Sequence, residues 1–535
     1  MKVLIAYPNL PLMYQPSMAV AILTAICKSK GCEVDLFETT EYSDEYHNRH
    51  VIMAQVGSVR VNDDEENTIY HSIKSENTII PDFVDKVNNF KPDLILLSLQ
   101  EDVFGVGLKM LESISHLKIP HLVGGVFAIN APDYVMKHLV IKNICNLEGE
   151  SVVENFIDHV RNGKPLSTIK GIWWRDSDNK IHKNTPALLV DINKYTPDFS
   201  LFELSRWQRW MGGKKFKCVM GMETYRGCPY KCTFCNSPKT RNLSKEFGTG
   251  NYLRTKNAAT IKKELDYYVS NFNPGLIMFV DDSFLARPKK EIFEFCDVWS
   301  KYNIPFWFNT RVENCKPDIL QALKDVGLYR MAFGIESGNE NYRTKVLKRP
   351  VSNQKYLEYK DYINESNIPY SLNAIIGMPF ETRDIILETA ALIREFKGHD
   401  GILISKFIPY MGTELRDIAI KAGFLDSNSP PNTVGYLKLG EGSYALKMPK
   451  PYVQEEEVDK LVKCFSLYAF YPDNMWHVVQ QAETDQKLYD QLMKEYRSKF
   501  FVGNHQVGGK TKLSHLSKYC AVHDISSSYD FHVVA

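Results

Sequence analysis

Apolar positions in the first 160 residues switch repeatedly between the period of a strand and that of a helix. Residues 2–8 (KVLIAYP) are a short apolar run closed by proline. Residues 17–31 carry apolar positions at helical spacing and end at Gly31, and 32–38 (CEVDLFE) alternate as a strand. A polar stretch over 42–80 reads as an insertion. Beyond it, 92–99 (PDLILLSL) is a continuous apolar run, 105–117 is helical in period, 121–125 (HLVGG) is another strand, and 138–147 leads into Glu148-Gly149-Glu150. Short strands alternating with helices predict a parallel, doubly wound sheet. Such sheets bind ligands beyond the carboxyl ends of their strands. That rule gathers 7–16, 98–100, 124–130 and 148–150 around one crevice, unless these are ordinary strand-to-helix loops.

Residues 163–215 are turn-rich, with a hairpin pattern at 171–184 (GIWWRDSDNKIHKN), and read as an interdomain connection. A second strand–helix series follows. Its strands are expected at 217–225, 275–282, 304–311, 330–337, 371–379 and 402–410, with helical stretches such as 260–272 and 317–327 between them. Six such units predict a partial barrel whose active face is formed by the carboxyl ends of its strands. A striped segment at 455–472 opens a mainly helical C-terminal piece, expected to cap the barrel. The predicted division is 1–162, 163–215, 216–425 and 426–535.

A chain of 535 residues exceeds one core, which agrees with several domains. Lys plus Arg (65) balance Asp plus Glu (64), which argues against a nucleic-acid footprint. No apolar run approaches the roughly 20 residues that span a bilayer, and the start, MKVLIAYPNL, is too short for a signal-peptide core. Neither a nucleic-acid nor a membrane partner is expected, and a cytoplasmic location follows by default. Eleven cysteines in a reducing compartment make a tight cysteine cluster a metal site rather than a disulfide framework.

One such cluster exists. Cys228, Cys232 and Cys235 lie in YRGCPYKCTFCNSPK (225–239), directly after a predicted strand. Three soft thiolates in one loop can hold three irons of a four-iron cluster and leave the fourth open to a small molecule. Gly227 and Pro229 supply the turns. A structural zinc would want a fourth ligand; Cys218, inside the preceding strand, is a poor one. Plain buried cysteines are the remaining alternative. The other cysteines are scattered and read as small core residues.

The segment Cys228-Pro-Tyr-Lys-Cys232-Thr-Phe234-Cys235 resembles the signature of radical S-adenosylmethionine (SAM) enzymes. FVDDSFL (279–285), FNTRVENCKPDILQALKDVGL (308–328), FGIESG (333–338), IIGMPFET (375–382) and FIPYMGTEL (407–415) follow in the order seen in the cobalamin-binding branch of that family. YPNLPLMYQPSMAVAILTAICKSKGCEVDLFE, PDLILLSLQ, HLVGGVFAINAPDYV and NLEGES resemble that branch's cobalamin domain, and INKYTPDFSLFEL (192–204) its linker. The resemblance covers roughly residues 1–425. It implies an α/β chain: an N-terminal Rossmann-like (flavodoxin-like) cobalamin-binding domain, a central (β/α)6 partial TIM barrel, and a mainly helical C-terminal region. It also implies a [4Fe-4S] cluster, S-adenosyl-L-methionine and cobalamin as cofactors. The implied partners are a small-molecule substrate and an external reductant such as flavodoxin or ferredoxin. One departure stands out. Many cobalamin proteins place a cobalt-binding histidine in an Asp-x-His-x-x-Gly loop after the first strand, and here that loop reads PNLPLMYQPS. The lower face of cobalt would be open or met by water or another side chain, or the domain no longer binds the cofactor.

The activity implied is methyl transfer to an unactivated carbon (or phosphorus) of a small metabolite or natural-product intermediate, through methylcobalamin and a 5′-deoxyadenosyl radical. The alternatives are radical cyclisation or rearrangement without methyl transfer, and an iron–sulfur or zinc scaffold without turnover. A methylthiotransferase fits less well, because the N-terminal region has no further clustered cysteines. Asp281 and Asp282 end a strand, where a carboxylate can receive the ammonium of SAM or cap the next element. Glu336 and Ser337 would meet its ribose or methionyl end. Arg311 would pair with its carboxylate or with Glu336. Ile376, Gly377 and Pro379 would lie against adenine, with Phe234 adding a backbone contact and an apolar wall. Tyr410 would line the substrate pocket as the catalytic candidate, or belong to the core. Ser98, Gln100, Gly124, Gly125, Asn130, Glu148, Gly149 and Glu150 would hold the corrin and its tail. His47, His50 and His71 in the insertion read as solvated.

Overall fold

The computed structural model describes residues 1–10, 15–42, 74–204, 207–211, 214–431 and 446–500. The three histidines of the insertion and the loop residues 11–14 lie outside the described residues. Among the described residues no helix is long and apolar enough to cross a membrane.

The N-terminal sheet contains Lys2–Tyr7 (β1), Glu33–Glu38 (β2), Leu94–Ser98 (β3), His121–Gly124 (β4), Asn143–Cys145 (β5), Ile172–Arg175 (β6) and Ile181–Lys183 (β7). Their order is β2-β1-β3-β4-β5-β6-β7. The first five strands are parallel and the last two antiparallel. The apolar runs of β1 and β3 have no polar face because both faces are covered. Val3, Ile5, Leu94 and Leu96 enter one core, and Leu4, Ala6, Ile95 and Leu97 the other. The order reverses between β1 and β3, so a ligand crevice is expected beyond their carboxyl ends. The 171–184 hairpin, assigned above to the interdomain connection, is β6 and β7. It pairs with β5 and carries the sheet past residue 162.

The second sheet contains Val219–Met222 (β10), Leu276–Phe279 (β13), Phe306–Thr310 (β14), Leu328–Glu336 (β15), Tyr370–Ile376 (β16) and His399–Lys406 (β17), preceded by the hairpin Arg209–Met211 (β8) and Lys214–Phe216 (β9). The six strands run parallel in chain order, β10-β13-β14-β15-β16-β17, as an open partial barrel. Phe279 and Phe306 pack outward on Phe295 and Trp299 of helix Lys289–Trp299. Inside, Met211 and Phe216 pack with Val219, Leu276 and Met278, so the β8–β9 hairpin plugs the amino-terminal end. Strand β16 shows the lumen in its alternation: Tyr370, Leu372, Ala374 and Ile376 are buried, while Ser371, Asn373 and Ile375 between them are half-open.

The C-terminal helices lie on the outside of the barrel, not over its mouth. Arg383, on helix Arg383–Glu395, pairs with Glu457 and Glu483 and donates to the Tyr468 hydroxyl at 2.7 Å; Arg394 pairs with Asp473. The described helices of this piece therefore do not cap the barrel, whereas the segment before them reaches the loop beyond β16, where the Val453 amide donates to the Glu381 carbonyl at 2.9 Å and Tyr452 packs on Phe380.

Candidate functional site

The carboxyl ends of the two sheets face each other. The Tyr410 hydroxyl, beyond β17, donates to the Asp102 carboxylate, beyond β3, at 3.1 and 3.2 Å. The Met411 amide donates to Glu101 Oε2 at 2.8 Å, and Lys239 Nζ to the Asn130 carbonyl at 2.6 Å. The loop with the three cysteines lies on the barrel side of this junction, after β10.

That loop is fastened at every turn. Tyr225–Arg226 (β11) pairs with Arg254–Thr255 (β12) just before it. Gly227 has a φ of +99°, and a Cβ there would meet the Tyr252 carbonyl at 2.5 Å, so only glycine fits. Arg241 donates to the carbonyls of Cys228 and Pro229. The Thr233 hydroxyl donates to the Val346 carbonyl at 2.8 Å. Among the described residues no three His, Cys, Asp or Glu side chains converge on a position for a single metal ion. A structural zinc takes four protein ligands, whereas three thiolates in one loop can hold three irons of a four-iron cluster and leave the fourth open. Burial pushes the Cys228 thiol up to about 11 and Cys235 up to about 12. These thiols are therefore protonated at neutral pH unless a cation displaces the proton. The donor set fits a polynuclear cluster.

The two adjacent aspartates part ways. Asp281 is fully committed within the fold. It accepts from the Thr224 and Tyr225 amides at 2.8 and 3.0 Å and from the Thr224 hydroxyl at 2.7 Å, and it pairs with buried Arg287. It fastens β10 to the end of β13 and has no oxygen left for a ligand. Asp282 is exposed toward the mouth, with the Ser237 hydroxyl at 3.4 Å. Desolvation of the carboxyl by the atoms packed around it, and after that the charge of Asp281, raise it to about 6.

Glu336 sits at a bulge between β15 and β16 with φ +62°. A Cβ on Gly334 would lie 2.2 Å from Glu336 Oε1, so that glycine makes room for the carboxylate. The partner of Glu336 is Arg349 at 3.1 Å, not Arg311. Arg311 pairs with Glu313 at 2.6 Å and stacks 3.8 Å from the Tyr230 ring centroid. The hydroxyls of Ser283, Thr310 and Ser337, at or just beyond the ends of β13, β14 and β15, are buried without a partner. A polar ligand in the mouth would satisfy them, so this arrangement fits SAM. Gly377, with φ +81°, follows Ile376 at the end of β16. Buried Glu381 accepts from the Met378 amide at 2.9 Å, its carboxyl pushed up to about 8 by burial, and the Tyr342 hydroxyl donates to the Pro379 carbonyl at 2.8 Å. Phe234 packs partly buried against the barrel core.

On the N-terminal side the predicted corrin residues divide. Gly124 faces open space, the nearest atom to a Cβ there being 3.8 Å away. Ser98 pairs in register with it, and Gln100 is exposed. The Asn130 amide oxygen is buried without a partner, an acceptor suited to the amide side arms of a corrin. These residues fit a cobalamin. Gly125 serves the fold instead: a Cβ there would lie 2.4 Å from the Leu99 carbonyl oxygen. Glu148 and Glu150 are engaged with Arg254 and Arg226, and Gly149 caps helix Glu150–Asn162. Tyr410 is likewise spoken for by Asp102, so it is a junction residue rather than a free acid. The residues that sequence reasoning missed are the partners: Arg226, Arg254, Arg287, Arg349, Glu381 and Asp102. Their charge and position at strand ends were visible, but their pairings were not.

Residues 222–393 match the model of the Radical SAM superfamily. An uncharacterized methyltransferase of Pyrococcus horikoshii is 24% identical over 66% of this chain and 74% of its own length. The anaerobic magnesium-protoporphyrin IX monomethyl ester cyclase of Rubrivivax gelatinosus is 24% identical over 58% of this chain, which spans 56% of that relative. Among solved structures, the cobalamin-dependent S-adenosylmethionine radical enzyme OxsB, with aqua-cobalamin and S-adenosylmethionine bound, superposes with a TM-score of 0.62 at 16% identity, over 99% of this chain and 76% of that one. That likeness is one of fold.

Proposed function

From the premise that residues 222–393 form a radical SAM domain, we propose that the protein is a cobalamin-dependent radical SAM enzyme that transfers a methyl group to an unactivated carbon or phosphorus of a small molecule. The observation that carries this reading is the junction itself, where a three-cysteine loop on a barrel mouth faces the carboxyl ends of a flavodoxin-like sheet. When bound, the cluster with SAM supplies one-electron cleavage of a carbon–sulfur bond, and the corrinoid supplies a methyl carrier. The chain's own groups do the rest. Cys228, Cys232 and Cys235 would hold the cluster, their loop kept in place by Arg241 and Thr233. Asp282, open to the mouth, receives an ammonium group, and that cation favours its ionised form. Ser283, Thr310 and Ser337 offer hydroxyls to the polar edge of the ligand. Gly377 lets a flat base approach the backbone, and the plugged lumen keeps water from the reacting centre. Gly124, Ser98, Gln100 and Asn130 form the opposite wall and would hold the corrinoid. The electron comes from an external carrier such as flavodoxin or ferredoxin.

The names of the relatives point both to methyl transfer and to cyclisation. The test is anaerobic purification and reconstitution with iron and sulfide, followed by the visible spectrum and product analysis under a strong reductant. The proposal expects cluster and corrinoid absorption, 5′-deoxyadenosine and S-adenosylhomocysteine. 5′-Deoxyadenosine without S-adenosylhomocysteine would favour the cyclase reading. Zinc in place of iron, or no cleavage of SAM, would overturn both.

A further inference from the structure

The stem of the cysteine loop carries a charge cluster that reaches into the other domain. Arg226 lies two residues before Cys228. Its Nε and Nη2 make a bidentate pair with Glu223, both at 2.8 Å. Its Nη1 crosses to Glu150 Oε1 at 2.7 Å and lies 3.3 Å from Glu148 Oε1. Arg254, the cross-strand partner of Arg226, donates to Glu148 Oε2 at 2.8 Å and to the Val190 carbonyl at 2.7 Å. The Val190 amide closes the ring by donating to Glu148 Oε2 at 2.9 Å. None of these five charged side chains is more than 20% exposed.

Ion pairs this buried gain little net stability, because desolvation offsets the attraction. They do penalise every arrangement that separates the partners. Here the partners belong to two domains, and the arrangement that satisfies them fixes the loop stem against the carboxyl end of β5. The planar guanidinium also fixes direction: one edge is held by Glu223 on its own domain, so the other can meet Glu150 in one orientation only. Gly227 follows at once, with no room for a side chain, so movement of the stem passes directly to Cys228.

We propose that Arg226 is a positioning residue that ties the cysteine loop to Glu148 and Glu150, so that the two walls of the active site keep a fixed separation. The inference rests on the proposed function for its meaning but not for its test. The variants are Glu150→Gln and Glu148→Gln, which leave the Arg226–Glu223 pair intact, and Arg226→Lys, which keeps the charge but loses the fork. In full-length, cofactor-free protein, amide hydrogen exchange at 224–228 and 146–150 should quicken about tenfold in Glu148→Gln and Glu150→Gln, and less in Arg226→Lys. Unchanged exchange in Glu148→Gln and Glu150→Gln would overturn the proposal. So would an equal rise across β1–β4, which would make the acids props of the N-terminal sheet alone. A second readout is uptake of hydroxocobalamin. Loss of uptake with unchanged exchange would make Glu150 a direct corrinoid contact and also overturn it. If wild-type protein fails to cleave SAM, the proposed function falls while the exchange result stands.

Discussion

Asp281 and Asp282 are neighbours of one chemical type, and the structure predicts opposite consequences for losing them. Asp281→Ala leaves Arg287 buried without its counter-ion. Arg287 keeps the Phe284 carbonyl at 2.7 Å, the Thr224 hydroxyl at 3.0 Å, the faces of Phe284 and Tyr225 and the more distant charge of Glu291. Stranding one member of a buried pair costs about 3–5 kcal/mol, before counting the Thr224 and Tyr225 amides that also lose their acceptor. Total stability is commonly about 5–15 kcal/mol, so a large fraction is removed. At roughly 2–4 °C per kcal/mol for a domain of this size, the midpoint should fall by about 6–20 °C. Asp282→Ala removes an exposed carboxylate held only by a long contact from the Ser237 hydroxyl at 3.4 Å, so its stability should change by no more than about 0.5 kcal/mol. The same variant should lose SAM cleavage, because the open acceptor is gone. The assay is thermal and urea unfolding of cofactor-free protein, with cleavage measured after reconstitution. An Asp281→Ala midpoint within about 2 °C of wild type, or an equal fall in Asp282→Ala, would refute the reasoning.

Glu381 is an acid whose folded value, about 8, lies above its unfolded one. Its stabilising contribution is full below the unfolded value and is lost as pH rises toward 8; urea titrations at several pH values should show Glu381→Gln flattening this decline. Gly125→Ala would drive a Cβ into the Leu99 backbone and lower the unfolding midpoint sharply, whereas Gly124→Ala meets nothing closer than 3.8 Å and should unfold like wild type. Tyr410→Phe leaves half-buried Asp102 without its donor. It should cost about 1–3 kcal/mol in urea unfolding while SAM cleavage persists; abolished cleavage with unchanged stability would restore Tyr410 as a catalytic group. Cys232→Ser should remove cluster absorption after reconstitution without unfolding the apo-protein, as read by its spectrum and melt.

The legible parts of this fold were those set by local period. The apolar runs of β1 and β3 announce strands covered on both faces. The six barrel strands likewise fall where alternation and turn residues put them. The hairpin at 171–184 was legible as a hairpin but not as the sheet's edge, because antiparallel pairing with β5 leaves no mark on its own residues. Nor does the amphipathic stripe of 455–470 say whether it meets the barrel mouth or an outer helix. Arg383, which decides that, lies far away in sequence.

The candidate site divides along the same line, and the reason is physical. A polar residue at the carboxyl end of a strand either receives a ligand or neutralises another buried group, and both roles demand the same residue types. What distinguishes them is whether a counter-group arrives from elsewhere in the chain. Arg287 arrives for Asp281, Arg349 for Glu336, Arg254 for Glu148 and Asp102 for Tyr410, and each claims a residue that local reasoning assigned to a cofactor or, for Tyr410, to the substrate pocket. No such group claims the Ser337 hydroxyl or the Asn130 amide oxygen, and Asp282 has only a long contact from Ser237. Satisfaction by the fold therefore sorts the strand-end residues, and those left with an open polar atom form the surface a ligand must complete. The three thiols belong to the same set, since buried and protonated they gain most from a metal that the fold does not replace.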